Sequence, residues 1–243
     1  MPKSASDGDG SGPLYARLRD RLVERIRSGE WKPGQLIPNE FEIAEEFGVS
    51  QGTARKAIGE MAAEGLVLRR QGRGTFVVEH TPAHVLFRFF NIYDEDERAV
   101  IPDSRYVTCS RADADQAERR ALGLDRHAGV IRIRRLRTRD GRPFIRETIA
   151  LPEALFGGLL ELPALPNTLY DLYQKRYGVL IVRTDDRLCA VAADAESAAA
   201  LGIQRGAPLL RIDRIAYTLD DKPVEWRVSL CHLDGAHYLA RSR

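Results

Sequence analysis

The stretch that decides the fold is Glu46-Phe-Gly-Val-Ser-Gln-Gly-Thr-Ala-Arg-Lys-Ala-Ile-Gly-Glu-Met-Ala-Ala-Glu-Gly-Leu66. It reads as the end of one short helix, a tight turn at Gly48 and a second helix. Ser50 is placed to cap that second helix, its hydroxyl accepting from a first-turn amide that has no intrahelical partner. Ala54, Ala57, Ile58, Met61 and Leu66 recur at three- and four-residue spacing and form one apolar stripe. Gln51, Gly52, Thr53, Arg55 and Lys56 fall mostly off the stripe, near the helix start. A helix that offers small, polar and basic groups after a sharp turn suits a DNA major groove. The same pattern also fits an ordinary solvated face, and the flanking segments separate the two readings.

Downstream, Val67-Leu-Arg-Arg-Gln-Gly-Arg-Gly-Thr-Phe-Val-Val78 reads as two short strands around a Gln-Gly-Arg-Gly turn. Such a hairpin is a wing. Arg69, Arg70 and Arg73 lie on or beside it, and residues 48–75 hold five basic and two acidic side chains. Positive charge is thus gathered on the two elements that would face a duplex, where phosphates supply most of the binding free energy. A wing-tip arginine can also enter the minor groove. Upstream, Leu14 to Ser28 is a helix with Leu14, Leu18, Leu22 and Ile26 on one side, closed by Gly29. Asn39 followed by Glu42 has the form of a capping box for a short helix carrying Phe41, Ile43, Ala44 and Phe47.

The whole chain is less informative than its parts. At 243 residues and 44% hydrophobic, it can bury one large core or two modest ones. The net charge of +2 does not mark a nucleic-acid binder, so any such charge is local. Cys109, Cys189 and Cys231 are distant and odd in number, which gives no disulfide framework and points to a reducing cytoplasm. No histidine or cysteine set has metal-ligand spacing; neither a metal, a cofactor nor a catalytic residue is expected. No apolar run reaches the ~20 residues of a membrane span. Residues 1–12 are small and polar and are expected to form a disordered tail.

His80-Thr-Pro-Ala-His84 interrupts the wing and reads as a linker. From there Val85 to Ile92 and Arg105 to Ser110 look like strands, and Asp113 to Leu122 like a helix. An internal repeat organises this half. Ala121-Leu-Gly-Leu124 recurs as Ala200-Leu-Gly-Ile203, and Gly129-Val-Ile-Arg-Ile-Arg-Arg-Leu136 as Pro208-Leu-Leu-Arg-Ile-Asp-Arg-Ile215. Asp140-Gly-Arg-Pro143 recurs as Asp220-Asp-Lys-Pro223. Each copy reads helix, strand, Asp-containing turn, strand. Two such copies predict an antiparallel sheet covered by helices, an α+β layer fold.

Strand parity then locates a charge problem. Ile131, Ile133, Arg135 and Arg137 share one face, as do Ile145, Glu147, Ile149 and Leu151. A charge at a core-facing position is costly unless paired or met by a ligand. An internal Arg–Glu pair, a solvated strand end and an anion-binding pocket all remain open, a guanidinium fork being matched to carboxylate or phosphate. The second copy has Arg214 and Ala216 at the matching places. Thr168, after Pro166-Asn167, stands in the first turn of a helix, where free amides also favour an anion. Val179 to Ala193 reads as one long strand, and Glu225 lies opposite the apolar side of Pro223 to Leu230.

Residues 13–79 resemble the winged-helix domain of GntR-family transcription regulators. The resemblance rests on Pro33-Gly34, Pro38-Asn-Glu40, Ala44-Glu-Glu-Phe-Gly-Val-Ser50, Arg55-Lys-Ala57, Glu64-Gly-Leu66 and Gln71-Gly-Arg-Gly-Thr-Phe-Val77. It implies operator contacts from Asn39, Glu40, Ser50, Gln51, Thr53, Arg55, Arg73 and Gly74; Lys56, beside Arg55, is added from the helix reading. The chain departs from the family at Phe41, where an Arg is common, and at Gln51-Gly52, usually Arg-Thr. Residues 85–243 resemble the effector-binding (UTRA) domain of the HutC-type branch, related in fold to chorismate lyase. Arg135-Leu-Arg137, Asp140-Gly-Arg-Pro143, Glu147, Leu151-Pro152, Thr168-Leu-Tyr170, Tyr177-Gly178 and Pro223-Val-Glu225 carry that resemblance. It implies a pocket lined by Arg135, Arg137, Glu147, Thr168 and Glu225, and a domain that also dimerises.

The expectation is a cytoplasmic, homodimeric transcription regulator, a repressor, that binds double-stranded operator DNA. A small carboxylate or phosphate effector would tune that binding. The rival readings are a lyase-like enzyme or a second domain that only dimerises.

Overall fold

The computed structural model describes residues 12–81, 85 and 89–240. Most of the expected tail and residues 82–84 of the expected linker lie outside the described residues. The chain divides into two compact units, residues 1–79 and 80–243.

The first unit is three helices and a hairpin: α1 (Leu14–Arg27), α2 (Glu40–Phe47), α3 (Gln51–Ala63), β1 (Val67–Arg70) and β2 (Gly74–Val77). The α3 stripe is its core. Ala54, Ala57, Ile58 and Met61 are buried with Leu18 and Leu22 of α1 and Ile43 of α2. Full burial of an Ile, Leu or Met side chain stabilises by about 1.5–3 kcal/mol. The turn between α2 and α3 needs a left-handed residue, and Gly48 supplies it at φ 62°. Asn39 caps α2 in a complete capping box with Glu42, and Ser50 caps α3 by accepting from the Thr53 amide. β2 pairs with β1 on one side. On the other, the Ile37 amide donates to the Thr75 carbonyl and the Val77 amide to the Gln35 carbonyl. The wing is therefore braced by an extended segment before α2, a pairing that residues 31–38 do not advertise.

The second unit is built on a six-stranded antiparallel sheet ordered β4-β5-β6-β9-β8-β7. Its strands are β4 (Asp103–Asp113), β5 (Gly129–Arg139), β6 (Arg142–Pro152), β7 (Arg183–Ala192), β8 (Pro208–Tyr217) and β9 (Pro223–Cys231). The repeat appears as two matching halves. Helices α4 (Gln116–Leu122) and α6 (Ala195–Leu201) are each N-capped by an aspartate, Asp115 and Asp194, and each ends at a left-handed glycine, Gly123 and Gly202. The hairpin turns that follow place Asp140 and Asp221 at φ 50° and 52°. Both helices pack on one sheet face, over Val130 and Ala150 in one half and Leu209 in the other. The opposite face is covered by α5 (Leu169–Tyr177), whose Leu169, Tyr170 and Tyr173 join Ile131, Ile133, Ile149 and Leu151 in the largest apolar cluster of this unit. A second small sheet pairs β3 (Ile92–Asp94) with β10 (Ala236–Tyr238).

Two expectations change. Val85 to Ile92 is not one strand: Val85 and Phe89 are helical, and only Ile92 begins β3. A continuous apolar run does not distinguish strand from buried helix, and the four-residue spacing of Val85 and Phe89 puts both into the core cluster. The strand expected from Val179 begins at Arg183; Ile181 is packed in the core before pairing starts.

Candidate functional site

In the first unit, the exposed groups gather around the start of α2, the start of α3 and the wing. Glu40 organises them. One carboxylate oxygen accepts from Arg55 Nε at 2.8 Å and the other from Arg69 Nη2 at 3.2 Å. Arg69 also reaches the Arg55 carbonyl at 3.4 Å. Both arginines stay exposed, so the bridges hold them side by side at a cost of little more than ~1 kcal/mol to exchange for phosphate. A groove runs between this cluster and the wing, lined by Asn39, Glu40, Phe41, Gln51 and Arg69 to Thr75. Phe41, 65% exposed, presents its ring there. Arg73 and Gly74 occupy the wing turn, Gly74 at φ 102°.

The remaining expected DNA contacts are placed less directly. Asn39 Oδ1 accepts from the Phe41 and Glu42 amides. Ser50 Oγ is bonded to the Thr53 amide and hydroxyl. Lys56 lies with Nζ 3.7 Å from the centroid of the Tyr15 ring, a cation–π contact that draws it toward α1. Arg69, not among the expected contacts, joins the cluster through Glu40.

In the second unit, the charged side chains of the sheet meet under the start of α5. Strand register explains why: Arg135 stands across from Glu147, and Glu147 across from Ser229. Arg135 Nε donates to Glu147 at 2.5 Å, while Ser229 Oγ donates to the other oxygen at 3.3 Å. Burial pushes the Glu147 carboxyl up, but Arg135, Arg227 and Arg137 outweigh it and hold it well below the usual carboxylate range. Glu225 is fully buried. It accepts from the Tyr170 and Tyr173 hydroxyls at 3.1 and 2.8 Å and from Nε and Nη2 of Arg227 at 2.9 and 3.0 Å. Arg214 makes a two-pronged contact with Asp186, both bonds 2.6 Å, and Tyr238 donates to the same carboxylate.

Arg137 is different. It is 2% exposed, yet among the described residues it pairs with no carboxylate. Its Nη1 donates to the Asn167 carbonyl at 2.9 Å, shared with Nη1 of Arg135 at 3.1 Å. Its Nε is buried with no hydrogen-bond partner. Burial first, and Arg135 second, push the Arg137 guanidinium down to about 9. A guanidinium stays protonated, so burial and the neighbouring Arg135 make this cation costly to hold without a directly bonded anion. The structure thus splits the alternatives: Arg135 has its internal carboxylate, and Arg137 does not.

Arg135 and Arg137 open on a small cavity, with Phe89, Phe90, Asn167, Thr168 and Tyr170 in its walls. Arg214 and Arg227 also line it. A second small hollow shares Phe89, Phe90, Arg214 and Arg227 with the first and adds Glu147, Ile92, Ile145, Ile212 and Cys231. Of the five expected residues, Arg135, Arg137 and Thr168 line the first cavity and Glu147 the second. Glu225 lines neither and acts through Arg227. Arg227 aligns with Glu147 in the repeat, a charge reversal visible in the sequence. His80 is buried, not a loose connector. Its amide donates to Gln174 Oε1 at 2.7 Å, and its ring lies 5.7 Å from Phe89 and 6.3 Å from Tyr170, both cavity residues.

Comparison with known proteins agrees with these two units. Residues 14–77 match the GntR family of bacterial regulatory proteins, and residues 97–237 match the UTRA domain. The chain is 32% identical to the HTH-type transcriptional repressor NagR of Bacillus subtilis, over 94% of this chain and 96% of that protein. It is 32% identical to the histidine utilization repressor of Pseudomonas putida, over 86% and 84%. Among solved structures, PhnF from Mycobacterium smegmatis aligns at TM-score 0.56 and 29% identity, covering 93% of this chain and 99% of that one. The ligand-binding domain of a Bordetella bronchiseptica chain described as a GntR-family regulator aligns at TM-score 0.61 and 38% identity, covering 64% and 98%.

Proposed function

Because this chain belongs to the GntR family and is a DNA-binding transcription regulator with a UTRA domain, we propose that it is a repressor released or retained on its operator by a small anion bound at Arg137. The observation that carries this reading is a buried, charged guanidinium with no internal carboxylate, facing a cavity. An anion there would offset the cost of burying this cation. Carboxylate and phosphate both match the fork that Arg135 and Arg137 present. NagR and the histidine utilization repressor are themselves named as repressors.

On the DNA side, Arg55 and Arg69, braced by Glu40, face the major groove with Gln51 and Thr53, and Arg73 at the wing tip follows the minor groove. Asn39, Ser50 and Gly74 shape these elements, and Lys56 adds positive charge beside them. The protein acts in the cytoplasm as a homodimer, so two copies of α3 address a near-palindromic operator about one helical turn apart. An effector shifts this equilibrium only by binding the DNA-competent and DNA-incompetent states with different affinity.

The test is fluorescence anisotropy with a labelled fragment of the DNA upstream of the protein's own gene. Arg55→Ala is expected to abolish sequence-specific binding while thermal stability and dimer mass are unchanged. Retention of wild-type affinity at moderate salt would refute the assignment of α3.

A further inference from the structure

The wall of the Arg137 cavity also restricts what the anion is attached to. Each carboxylate of this sheet face is engaged by the protein's own donors. Glu225 receives four hydrogen bonds, which fill the acceptor capacity of a carboxylate. Asp186 receives three. Glu147, in the adjoining hollow, is held by Arg135 and Ser229. Among the described residues, the cavity holding Arg137 has no carboxylate in its lining. A ligand rich in hydroxyl groups needs acceptors, and each hydroxyl buried without one costs roughly 1–3 kcal/mol.

Beside its four arginines, Asn167 and Thr168, the wall offers aromatic surface. Phe90 lies with its ring 5.8 Å from the Arg137 guanidinium carbon. Phe89 and Tyr170 meet edge to face at 5.0 Å. Beyond Phe89 and Phe90, the adjoining hollow is floored by Ile92, Ile145, Ile212 and Cys231, which belong to one apolar cluster. The charge balance agrees. Among the described residues, the two hollows are lined by four arginines, Arg135, Arg137, Arg214 and Arg227, set against the carboxylates of Glu147, Glu225 and Asp186, leaving one positive charge over.

We propose that the effector is a small organic acid with one negative charge on an apolar, aromatic or branched aliphatic body, and not a polyhydroxylated sugar phosphate. Its carboxylate sits on Arg137 and its body lies against Phe89 and Phe90, toward the isoleucine floor. The inference rests on the reading that this cavity is the effector site.

Calorimetric titration of the full-length protein tests it, with phenylacetate and 4-methylpentanoate as probes against glucosamine 6-phosphate and inorganic phosphate. At least one monocarboxylate is expected to bind at least about tenfold more tightly than either phosphate, a gap of about 1.4 kcal/mol. Arg137→Met, checked for an unchanged circular dichroism spectrum, is expected to weaken that binding by at least a similar factor, while substitution of the exposed turn residue Arg126→Ala leaves it unchanged. Tighter, Arg137-dependent binding of either phosphate would overturn the apolar-body inference and leave the anion site standing. Absence of Arg137-dependent binding by all four probes would overturn both.

Discussion

Substituting the two neighbouring arginines of β5 should move stability in opposite directions. Arg135 and Arg137 lie two residues apart, are both almost fully buried and share the Asn167 carbonyl. Only Arg135 has a carboxylate. Arg135→Met leaves Glu147 buried beside Ser229, with Arg227 Nη1 3.8 Å away as the nearest remaining cation. Breaking one partner of a buried pair costs about 3–5 kcal/mol, and Arg227 reduces that to roughly 2–4. Arg137→Met removes a cation whose downward push from 12.5 to about 9 corresponds to at most roughly 5 kcal/mol. Against this stands the loss of one charged hydrogen bond to Asn167, worth about 1.5–3 kcal/mol. The net is a gain of at most roughly 2–3 kcal/mol in the ligand-free protein. At about 2–4 °C per kcal/mol, Arg137→Met should raise Tm, by no more than about 10 °C, and Arg135→Met should lower it. Differential scanning fluorimetry on extensively dialysed protein measures both. A fall in Tm for Arg137→Met equal to that for Arg135→Met would refute the claim that Arg137 lacks an internal counter-ion.

Three further outcomes follow from the same geometry. Glu147 and Asp186 are both held below their ordinary range, so the folded state binds fewer protons than the unfolded state in acid. Their stabilisation is complete above about pH 4.5 and is lost as pH falls below that; urea titrations from pH 7 to 3 should show the decline, and Glu147→Gln should flatten it. Gly74 sits at φ 102°, and a Cβ there would lie 2.6 Å from Leu36 Cδ1. Gly74→Ala should therefore cost about 1–3 kcal/mol and weaken DNA binding through the wing, with helix content by circular dichroism unchanged. Arg73→Ala should reduce the slope of log affinity against log salt by about 1; an unchanged slope would take Arg73 off the phosphate backbone.

Much of this architecture could be read from residues alone, because local rules and tertiary demands coincide. The Ala54 to Leu66 stripe, the Asn39–Glu42 capping box and the wing glycines each point to one structure, and so does the repeat that sets the sheet. Parity alone put Arg135, Arg137 and Glu147 on one buried face. What parity could not decide was which arginine takes the carboxylate. Cross-strand register decides it, by placing Arg135 and not Arg137 opposite Glu147. The approach of Arg227 to Glu147 was not legible for the same reason: it depends on β9 lying beside β6, a pairing of strands more than seventy residues apart. Glu225 was legible only through the family resemblance, since parity set it opposite the apolar side of its strand; it is fully buried and saturated by two tyrosines and an arginine. At Val85 to Ile92 the apolar run carried no usable period. The burial of His80 depends on Gln174 and Ile181, both distant in sequence.

The order β4-β5-β6-β9-β8-β7 is the same three-strand unit written forward and then backward, so the domain is a fused pair folded about the β6–β9 seam. A pair of equal halves would offer two equivalent berths. Here the halves have diverged: Arg137 corresponds to Ala216, and Glu147 to Arg227. If Arg137 is the effector site, as proposed, the seam would admit one guest per polypeptide and a dimer two. Any steepness in its dose response must arise between subunits rather than within one.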